Sequence, residues 1–162
     1  MLRDATLDDL PAILEIHNDA ITTTTAIWDE EPVEIDERRA WFDTRTTAGH
    51  PIIVATDDGV VAGYASFGPW RPKSGYRHTV EHSVYIHPDR QGRGHGRALM
   101  AELIERARTA GFHAMVAGIE AGNAPSLALH EHFGFTQVAL LPQVGRKFDR
   151  WLDLAYLQLL LD

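Results

Sequence analysis

A glycine-rich run in the second half of the chain holds the residue types best suited to binding a ligand. The run consists of Gln91, Gly92, Arg93, Gly94, His95, Gly96 and Arg97. Alternate glycines free the backbone to curl with its N–H groups facing inward, and the helical pattern behind them adds the positive end of a helix dipole. Both features attract phosphate, so the run predicts a phosphorylated ligand.

Two common phosphate loops do not fit this run. A nucleoside-triphosphate loop ends in Gly-Lys-Ser or Gly-Lys-Thr, whereas Gly96 is followed by Arg97 and Ala98. A dinucleotide fingerprint needs a third glycine five residues after Gly92, where the chain has Arg97, and it closes the first strand of a βαβ unit. A flexible loop that caps an ordinary helix is the alternative, so the surrounding sequence has to decide.

The composition limits the class of protein. With 162 residues, 44% of them hydrophobic and 23% charged, the chain is expected to form one soluble domain over residues 1–162. No apolar stretch is long enough to cross a bilayer, and the N-terminal residues lack a signal-peptide pattern. The absence of cysteine excludes disulfides and a thiol nucleophile, and it predicts a cytoplasmic location.

Basic residues are concentrated in two short windows of an otherwise acidic chain. The formal net charge of −8 argues against a nucleic-acid-binding protein, which needs a basic surface. The first window carries Arg71, Lys73 and Arg77, and the second carries Arg90, Arg93 and Arg97 around the glycine-rich run. This distribution predicts sites for small anions, with an ordinary solvated basic face as the alternative.

The hydrophobic periodicity predicts an α/β order of elements around one mixed sheet. Strands are predicted at residues 2–5, 52–56, 60–67, 77–86, 114–119, 135–140 and 150–160. Helices are predicted up to about residue 18 and at residues 35–48, 94–110 and 124–132. Residues 68–75 contain two prolines and two glycines, and they are predicted to form a loop. The glycine-rich run then lies at the carboxyl end of a central strand, where open sheets bind ligands.

Two distant motifs resemble those of a known family. Residues 84–88, Val-Tyr-Ile-His-Pro, followed by the glycine-rich run, resemble the acetyl-CoA signature of the GNAT N-acetyltransferases. Residues 123–126, Asn-Ala-Pro-Ser, followed by Gly134 and Phe135, resemble their second signature. Within this superfamily the chain is similar to the phosphinothricin and methionine sulfone/sulfoximine acetyltransferases, and the segments that carry the similarity are Gly68-Pro69-Trp70, Tyr76-Arg77, Thr79-Val80-Glu81 and His130-Glu131. The resemblance covers nearly the whole chain and implies the α/β (α+β) GNAT fold, one mixed central sheet flanked by helices.

The resemblance implies acetyl-CoA as the cosubstrate and a set of residues that bind it. The glycine-rich run would hold the pyrophosphate of coenzyme A, and the backbone of Val84, Tyr85 and Ile86 would pair with the pantetheine arm where this strand splays from the next. Asn123 and Ser126 would contact the same cofactor. Their alternative roles are a helix cap and an ordinary polar residue at a helix start.

The resemblance also implies that Glu81 is the general base. An amino-acid amine is mostly protonated at neutral pH, so a base has to take its proton, directly or through water, before acetyl transfer. Glu81 is a carboxylate in an otherwise uncharged strand, and a partly dry cleft raises a carboxyl pKa toward the working range. The alternative is a structural ion pair with Arg71 or Arg77, and the match of residues 79–81 to the family motif favours the base.

His130 stands where many GNAT enzymes carry a tyrosine that protonates the departing thiolate, and the phosphinothricin-type enzymes share the histidine. His130 is therefore a candidate to protonate the thiolate of coenzyme A or to bind substrate. A histidine that is merely hydrogen-bonded beside the cofactor is the alternative.

The first basic window predicts the acceptor site. Arg71, Lys73 and Arg77 flank a loop that bears Trp70 and Tyr76, and such cations pair with a substrate carboxylate. Trp28 and Trp70 are candidates for the walls of a side-chain pocket, with plain core packing as the alternative. His78 and His82 lie four residues apart on a strand in a chain without cysteine, which is a poor metal set, so no metal is predicted.

These observations predict an acetyl-CoA-dependent N-acetyltransferase that acts on the α-amine of a small amino-acid-like acceptor such as L-phosphinothricin, methionine sulfone or methionine sulfoximine. Transfer is expected to be direct, because no cysteine can form an acyl-enzyme. The alternatives are a GNAT enzyme acting on a protein N-terminus, a polyamine or another amine, and a non-catalytic acetyl-CoA sensor. The apolar stretch at residues 152–161 predicts a homodimer, or else a last core strand.

Overall fold

The computed structural model describes all 162 residues and forms one mixed sheet of seven strands with four α-helices around it. The strands are β1 (Leu2–Asp4), β2 (Ile52–Asp57), β3 (Val60–Pro69), β4 (Thr79–Ile86), β5 (Ala114–Glu120), β6 (Thr136–Lys147) and β7 (Arg150–Leu160). The helices are α1 (Leu10–Thr23), α2 (Ile35–Thr47), α3 (His95–Thr109) and α4 (Ala124–His132). The strand order is β1-β2-β3-β4-β5-β7-β6, and β4 and β5 are the one parallel pair, which confirms the predicted mixed sheet.

The helices cover both faces of the sheet because each presents an apolar stripe at helical spacing. On one face, α3 contributes Leu99, Met100 and Leu103 to a cluster of 18 buried residues. On the other face, α1 contributes Leu10 and Ile13 to a cluster of 8 buried residues. The central strand β3 is buried between the two clusters, which is why its sequence is a nearly continuous apolar run.

Helix α1 continues to Thr23, five residues beyond the predicted end. The hydroxyl oxygens of Thr22 and Thr23 donate hydrogen bonds to the carbonyls of Asn18 and Asp19, at 2.9 and 2.8 Å. A threonine bonded to the carbonyl four residues earlier is compatible with a helix, whereas its β-branched side chain alone disfavours one. The predicted loop therefore begins only after this last turn.

Two strands are also longer than the sequence predicts. Strand β3 runs through Gly68, which pairs with Glu81, and ends at Pro69, where the missing donor is tolerated at the strand terminus. Strand β6 ends at Lys147 instead of residue 140. Its pairing with β7 shifts register between Leu141 and Gly145 and then continues, although the alternation of apolar and polar residues is broken there. The β6–β7 hairpin then turns through two residues of positive φ, at 51° and 57°.

Strands β4 and β5 diverge in the middle of the sheet. Their ladder consists of three pairs, which join Thr79, Val80 and Glu81 to residues 114–116, and β5 pairs along its whole length with β7 on its other side. Beyond Glu81, the edge of β4 that faces β5 has no ladder partner. A V-shaped gap therefore opens in the sheet directly after Glu81.

None of the helices combines the length and the apolarity needed to cross a lipid bilayer.

Candidate active site

The glycine-rich run forms an exposed loop that leads into helix α3. Gly92 and Gly94 have φ values of 75° and 86°, in the left-handed region where a side chain is strained, and α3 begins at His95. The loop follows β4 by a short turn, beside the gap between β4 and β5. The backbone N–H groups at the start of a 15-residue helix thus face the space where an anion would bind.

A carboxylate from a neighbouring strand partly neutralises the loop. Asp57, at the end of β2, accepts hydrogen bonds from Arg90 Nη1 at 3.1 Å and from Arg93 Nη1 at 3.0 Å. His95 Nε2 lies 3.5 Å from the same carboxylate oxygen. Arg97 is exposed and makes no ion pair. Asp57 therefore fixes two of the three predicted cations in place and reduces their net charge.

The residues of the second signature are involved in local helix contacts. Asn123 Oδ1 accepts a hydrogen bond from the backbone N–H of Ser126 at 3.2 Å, which makes Asn123 the N-cap of α4.

Val84, Tyr85 and Ile86 lie on the part of β4 that has no ladder partner in β5. The ring of Tyr85 packs edge-on against His17, with ring centroids 6.4 Å apart.

His130 forms a buried pair with His82, the residue that follows Glu81. The Nε2 atoms of the two rings are 2.9 Å apart, and His130 Nδ1 donates to the Ser126 carbonyl at 2.7 Å. Since that carbonyl requires a proton on Nδ1, His130 in the neutral pair accepts at Nε2 from His82. Burial, and then the charge of His130, lowers the pKa of His82 to about 3, and burial lowers the pKa of His130 as well. Both rings are therefore neutral at neutral pH, and both nitrogens of His130 are engaged.

Glu81 lies at the point where β4 separates from β5, with an exposed side chain that makes no hydrogen bond and no ion pair within 4.0 Å. Desolvation by the surrounding protein raises the pKa of its carboxyl, and the charges of Arg71 and then Arg45 oppose this rise. The structural ion pair considered from the sequence is not formed. Arg77 donates instead to the Ser74 carbonyl at 3.1 Å.

A cleft of about 610 Å³ opens beside Glu81, between α2 and the segment that follows β3. Its lining residues are Glu37, Ala40, Trp41, Thr44, Arg45, Ala48, His50, Pro69, Trp70, Arg71 and Pro72. Two of the predicted acceptor residues, Trp70 and Arg71, are among them, and the Arg71 guanidinium carbon lies 5.0 Å from the Trp70 ring centre. Glu81 stands next to this cleft rather than in its lining.

The other predicted acceptor residues lie outside the cleft. Tyr76 packs edge-on against Trp70, with ring centroids 5.2 Å apart, while Lys73 and Arg77 are exposed on the same loop. Trp28 packs instead on the β6–β7 hairpin, where its ring fills the space that a Cβ of Gly145 would need. No group of three or more His, Cys, Asp or Glu side chains is arranged to hold a metal ion.

Comparison with known proteins decides the family. A model of the acetyltransferase (GNAT) family matches residues 12–135. The chain belongs to this family.

This acetyltransferase matches its relatives over most of its length. It is 57% identical to the L-methionine sulfoximine/L-methionine sulfone acetyltransferase of Pseudomonas aeruginosa, over 99% of this chain and 94% of that one. It is 43% identical to the phosphinothricin N-acetyltransferase of Alcaligenes faecalis, over 93% of this chain and 77% of that one. The structure of the yncA acetyltransferase from Salmonella typhimurium with its cofactor acetyl-CoA is 53% identical, with a TM-score of 0.98 over 100% of this chain and 94% of that one. The predicted fold, enzyme class and acetyl-CoA cosubstrate are confirmed.

The residues present fit acetyl-CoA on three observations of this structure. The glycine loop and the start of α3 offer N–H groups to a pyrophosphate, and the gap after Glu81 is open at the centre of the sheet. Between them, the unpaired edge of β4 offers backbone groups to an extended amide-containing arm such as pantetheine.

Two cations of the acetyltransferase were not predicted from the sequence as functional residues. Arg45 lies in a polar helix whose apolar residues show little periodicity, so the sequence does not indicate which way its side chain points. The fold shows that its guanidinium lies over Gly68, which has no side chain to block it. Lys147 is buried, and its Nζ donates to the carbonyls of Ile21, Thr24 and Ile27 at 2.5, 2.7 and 2.5 Å. This ammonium joins the end of α1 and the loop after it to strand β6, contacts that no local pattern encodes.

Proposed function

We propose that this acetyltransferase transfers an acetyl group from acetyl-CoA to the α-amine of a small amino-acid-like acceptor, such as L-phosphinothricin, methionine sulfone or methionine sulfoximine. The observation that carries the proposal is the unpaired Glu81 carboxylate between the V-shaped gap and a cleft that contains two arginines. The names of the relatives, at 57% and 43% identity, agree with this acceptor class.

In this proposal Glu81 removes a proton from the acceptor ammonium, directly or through a water molecule. A carboxylate that is free of ion pairs keeps its lone pairs for this task, and its raised pKa brings it closer to that of the amine. Acetyl-CoA supplies the acetyl group as a thioester, whose C–S bond breaks as the C–N bond of the product forms. No cysteine is present to carry the acetyl group in between, so transfer is direct.

On the donor side, the proposal assigns the pyrophosphate to Gln91, Gly92, Arg93, Gly94, His95, Gly96 and Arg97, and the pantetheine arm to the backbone of Val84, Tyr85 and Ile86. Asn123 contributes by capping α4, and Ser126 by orienting His130 through its carbonyl. His130 is buried, and it is linked through His82, the neighbour of Glu81, to the strand that bears the base. Because His130 is neutral, it would protonate the thiolate only after gaining a proton at Nε2, and that requires release of the hydrogen bond from His82.

On the acceptor side, the proposal assigns Arg71 to an oxygen-bearing group of the substrate and Trp70 to the wall beside it. Tyr76 supports Trp70, and Lys73 and Arg77 add positive charge at the outer edge of the loop. Trp28 lies outside this cleft, on the β6–β7 hairpin, so its role as a pocket wall stays a prediction from the sequence.

We further propose that two copies associate through the exposed apolar surface of the β6–β7 hairpin, and that the enzyme works in the cytoplasm, as the absence of cysteine favours. Val138, Val144 and Trp151 are 57%, 52% and 58% exposed, an unusual density of large apolar side chains for a monomer surface. A second copy has the same surface and buries it by symmetry. Light scattering should give twice the mass of the chain, and a Trp151→Glu variant should return it to a monomer.

The experiment that tests the function is a thiol-release assay with purified protein and acetyl-CoA. The acceptors are phosphinothricin, methionine sulfone, methionine sulfoximine, spermidine and a short peptide with a free N-terminus. Turnover is expected with the three amino-acid-like acceptors. Turnover confined to the peptide or spermidine would replace this substrate class, and acetyl-CoA binding without turnover of any amine would favour a sensor.

A further inference from the structure

Arg45 reaches the site from helix α2 by lying against a glycine. Its guanidinium occupies the space above Gly68 that a Cβ would otherwise fill. Gly68 is the residue of β3 directly opposite Glu81 on β4, and opposite residues of an antiparallel pair point to the same face of the sheet. Arg45 therefore places its positive charge on the same face as the proposed base, one strand away.

Arg45 is left without a partner in the protein. It is half-buried, and its guanidinium makes no hydrogen bond and no ion pair within 4.0 Å. Other partly buried arginines are paired: Arg38 with Glu37, and Arg106 with Asp4 and Glu102. Burial lowers the pKa of Arg45, and the charge of Glu81, which lies beyond 4.0 Å, offsets only part of this cost.

The unpaired guanidinium faces the cleft described above. Arg45 and Arg71 both line it, and Glu81 stands beside it. The cleft also contains Glu37, whose carboxylate is already paired with Arg38. The Glu81 carboxylate acts on both arginines at a distance but pairs with neither of them within 4.0 Å. A ligand with an anionic group would therefore find two unused guanidinium groups close to a base.

We propose that Arg45 binds the α-carboxylate of the acceptor and so selects α-amino acids over simple amines. The proposal rests on the function proposed above and names a residue that recognises its substrate class. In an α-amino acid the ammonium and carboxylate groups are attached to one carbon. Glu81 on β4, and Arg45 reaching from α2 over Gly68, present the complementary charges on one face of the sheet. Arg71, farther along the cleft beside Trp70, is left for the sulfone, sulfoximine or phosphinate group.

The alternative is that Arg45 acts only on Glu81 or on the packing of α2. A comparison of two substrates separates carboxylate binding from such an indirect role. The acceptors are methionine sulfone and 3-(methylsulfonyl)propylamine, which is the same molecule without its carboxylate. For an Arg45→Gln variant, kcat/KM with methionine sulfone should fall about 50-fold, the effect of losing a charged hydrogen-bonded pair. With the amine that lacks the carboxylate, the same variant should change by less than about threefold, since the removed guanidinium had nothing to bind.

Control variants keep the result interpretable. Arg45→Lys retains the charge and should recover part of the lost activity toward methionine sulfone. Arg39→Gln changes an exposed arginine of the same helix and should leave both substrates unaffected. The melting temperature and acetyl-CoA affinity of each variant show whether it is folded.

The outcomes distinguish this inference from the proposed function. If the wild-type enzyme acetylates methionine sulfone but Arg45→Gln loses the same factor with both acceptors, the role of Arg45 in carboxylate binding is overturned and the function stands. If the wild-type enzyme prefers the amine without a carboxylate, both proposals are overturned.

Discussion

The arginines beside the donor loop are paired with a carboxylate, whereas those beside the acceptor cleft are not. Arg90 and Arg93 share one carboxylate, Asp57, at distances of 3.1 and 3.0 Å. Arg45 and Arg71 have no carboxylate within 4.0 Å. The donor side thus holds its cations neutralised and ordered, whereas the acceptor side keeps its cations available.

This difference shows which interactions each half of the site relies on. A pyrophosphate at the loop meets backbone N–H groups and the start of α3 as well as side chains, so full cationic charge is not needed there. A small zwitterionic acceptor has few atoms to recognise, so its charges have to be matched directly. Glu81, the proposed base, resembles the arginines of the acceptor half, because its carboxylate also has no ion-pair partner within 4.0 Å.

The largest effect is expected from removing the base of the acceptor half. In Glu81→Gln the side chain keeps its shape but accepts no proton at neutral pH, so kcat should fall by about 10² to 10⁴. The dissociation constant of acetyl-CoA should change little, because Glu81 does not belong to the donor loop. Thiol release measures the first quantity and isothermal titration the second. An unchanged kcat and pH profile would remove Glu81 as the base.

The next effect is expected from filling the space that admits Arg45. In Gly68→Ala the new Cβ would occupy the place of the guanidinium, so Arg45 has to move away from the face of Glu81. The KM for methionine sulfone should rise roughly tenfold. The free energy of unfolding should change by less than about 1 kcal/mol, because the displaced atoms are the far end of a flexible side chain. Steady-state kinetics and urea unfolding measure the two changes.

A matched glycine provides the control for this substitution. Gly75 lies in the same connection between β3 and β4 and has open space around its Cα, so Gly75→Ala should leave the KM and the stability unchanged. If Gly68→Ala and Gly75→Ala changed the KM equally, displacement of Arg45 would not be the cause of the change at Gly68.

A smaller effect is expected when one cation beside the base is removed. Desolvation raises the pKa of Glu81, and the charge of Arg71 opposes the rise, so Arg71→Gln should raise this pKa further. Because the base works deprotonated, activity is lost as the pH falls through its pKa. The acid limb of the profile of kcat/KM against pH should therefore move to higher pH. A limb that stays in place, or moves to lower pH, would contradict the coupling.

The smallest effect is expected on the donor side, where one charge balances two. In Asp57→Asn, Arg90 and Arg93 lose their counter-charge, so the KM for acetyl-CoA should fall, by no more than about threefold at low salt. The difference from wild type should disappear as added salt screens the charges. A higher KM would show instead that Asp57 is needed to hold the arginines in place.

The sequence predicts most of the sheet and the donor side, because both depend on local signals. Alternating apolar residues mark the strands, and the glycines at 92 and 94 have the positive φ that only glycine adopts readily. The end of α1 was predicted too early, because β-branched threonines conceal the hydroxyl-to-carbonyl bonds that continue it.

The acceptor side is less accessible to the sequence because its contacts join distant segments. Arg45 meets Gly68 across two elements of structure, and no spacing of residues encodes that contact. The motif that contains Glu81 indicated a base, whereas the absence of its ion partners is a property of the folded chain. For Asn123 and His130 the sequence left a structural role open as an alternative, and the folded chain shows the corresponding contacts, the cap of α4 and the hydrogen bond with His82.

The buried ammonium of Lys147 has a consequence for the order in which the chain can fold during its synthesis. Its three carbonyl partners, on Ile21, Thr24 and Ile27, are made 126, 123 and 120 residues earlier. Until β6 has left the ribosome, the segment that bears Trp28 lacks the cation that gathers those carbonyls. The loop near the beginning of the chain is therefore expected to be among the last parts of the molecule to become ordered on the ribosome.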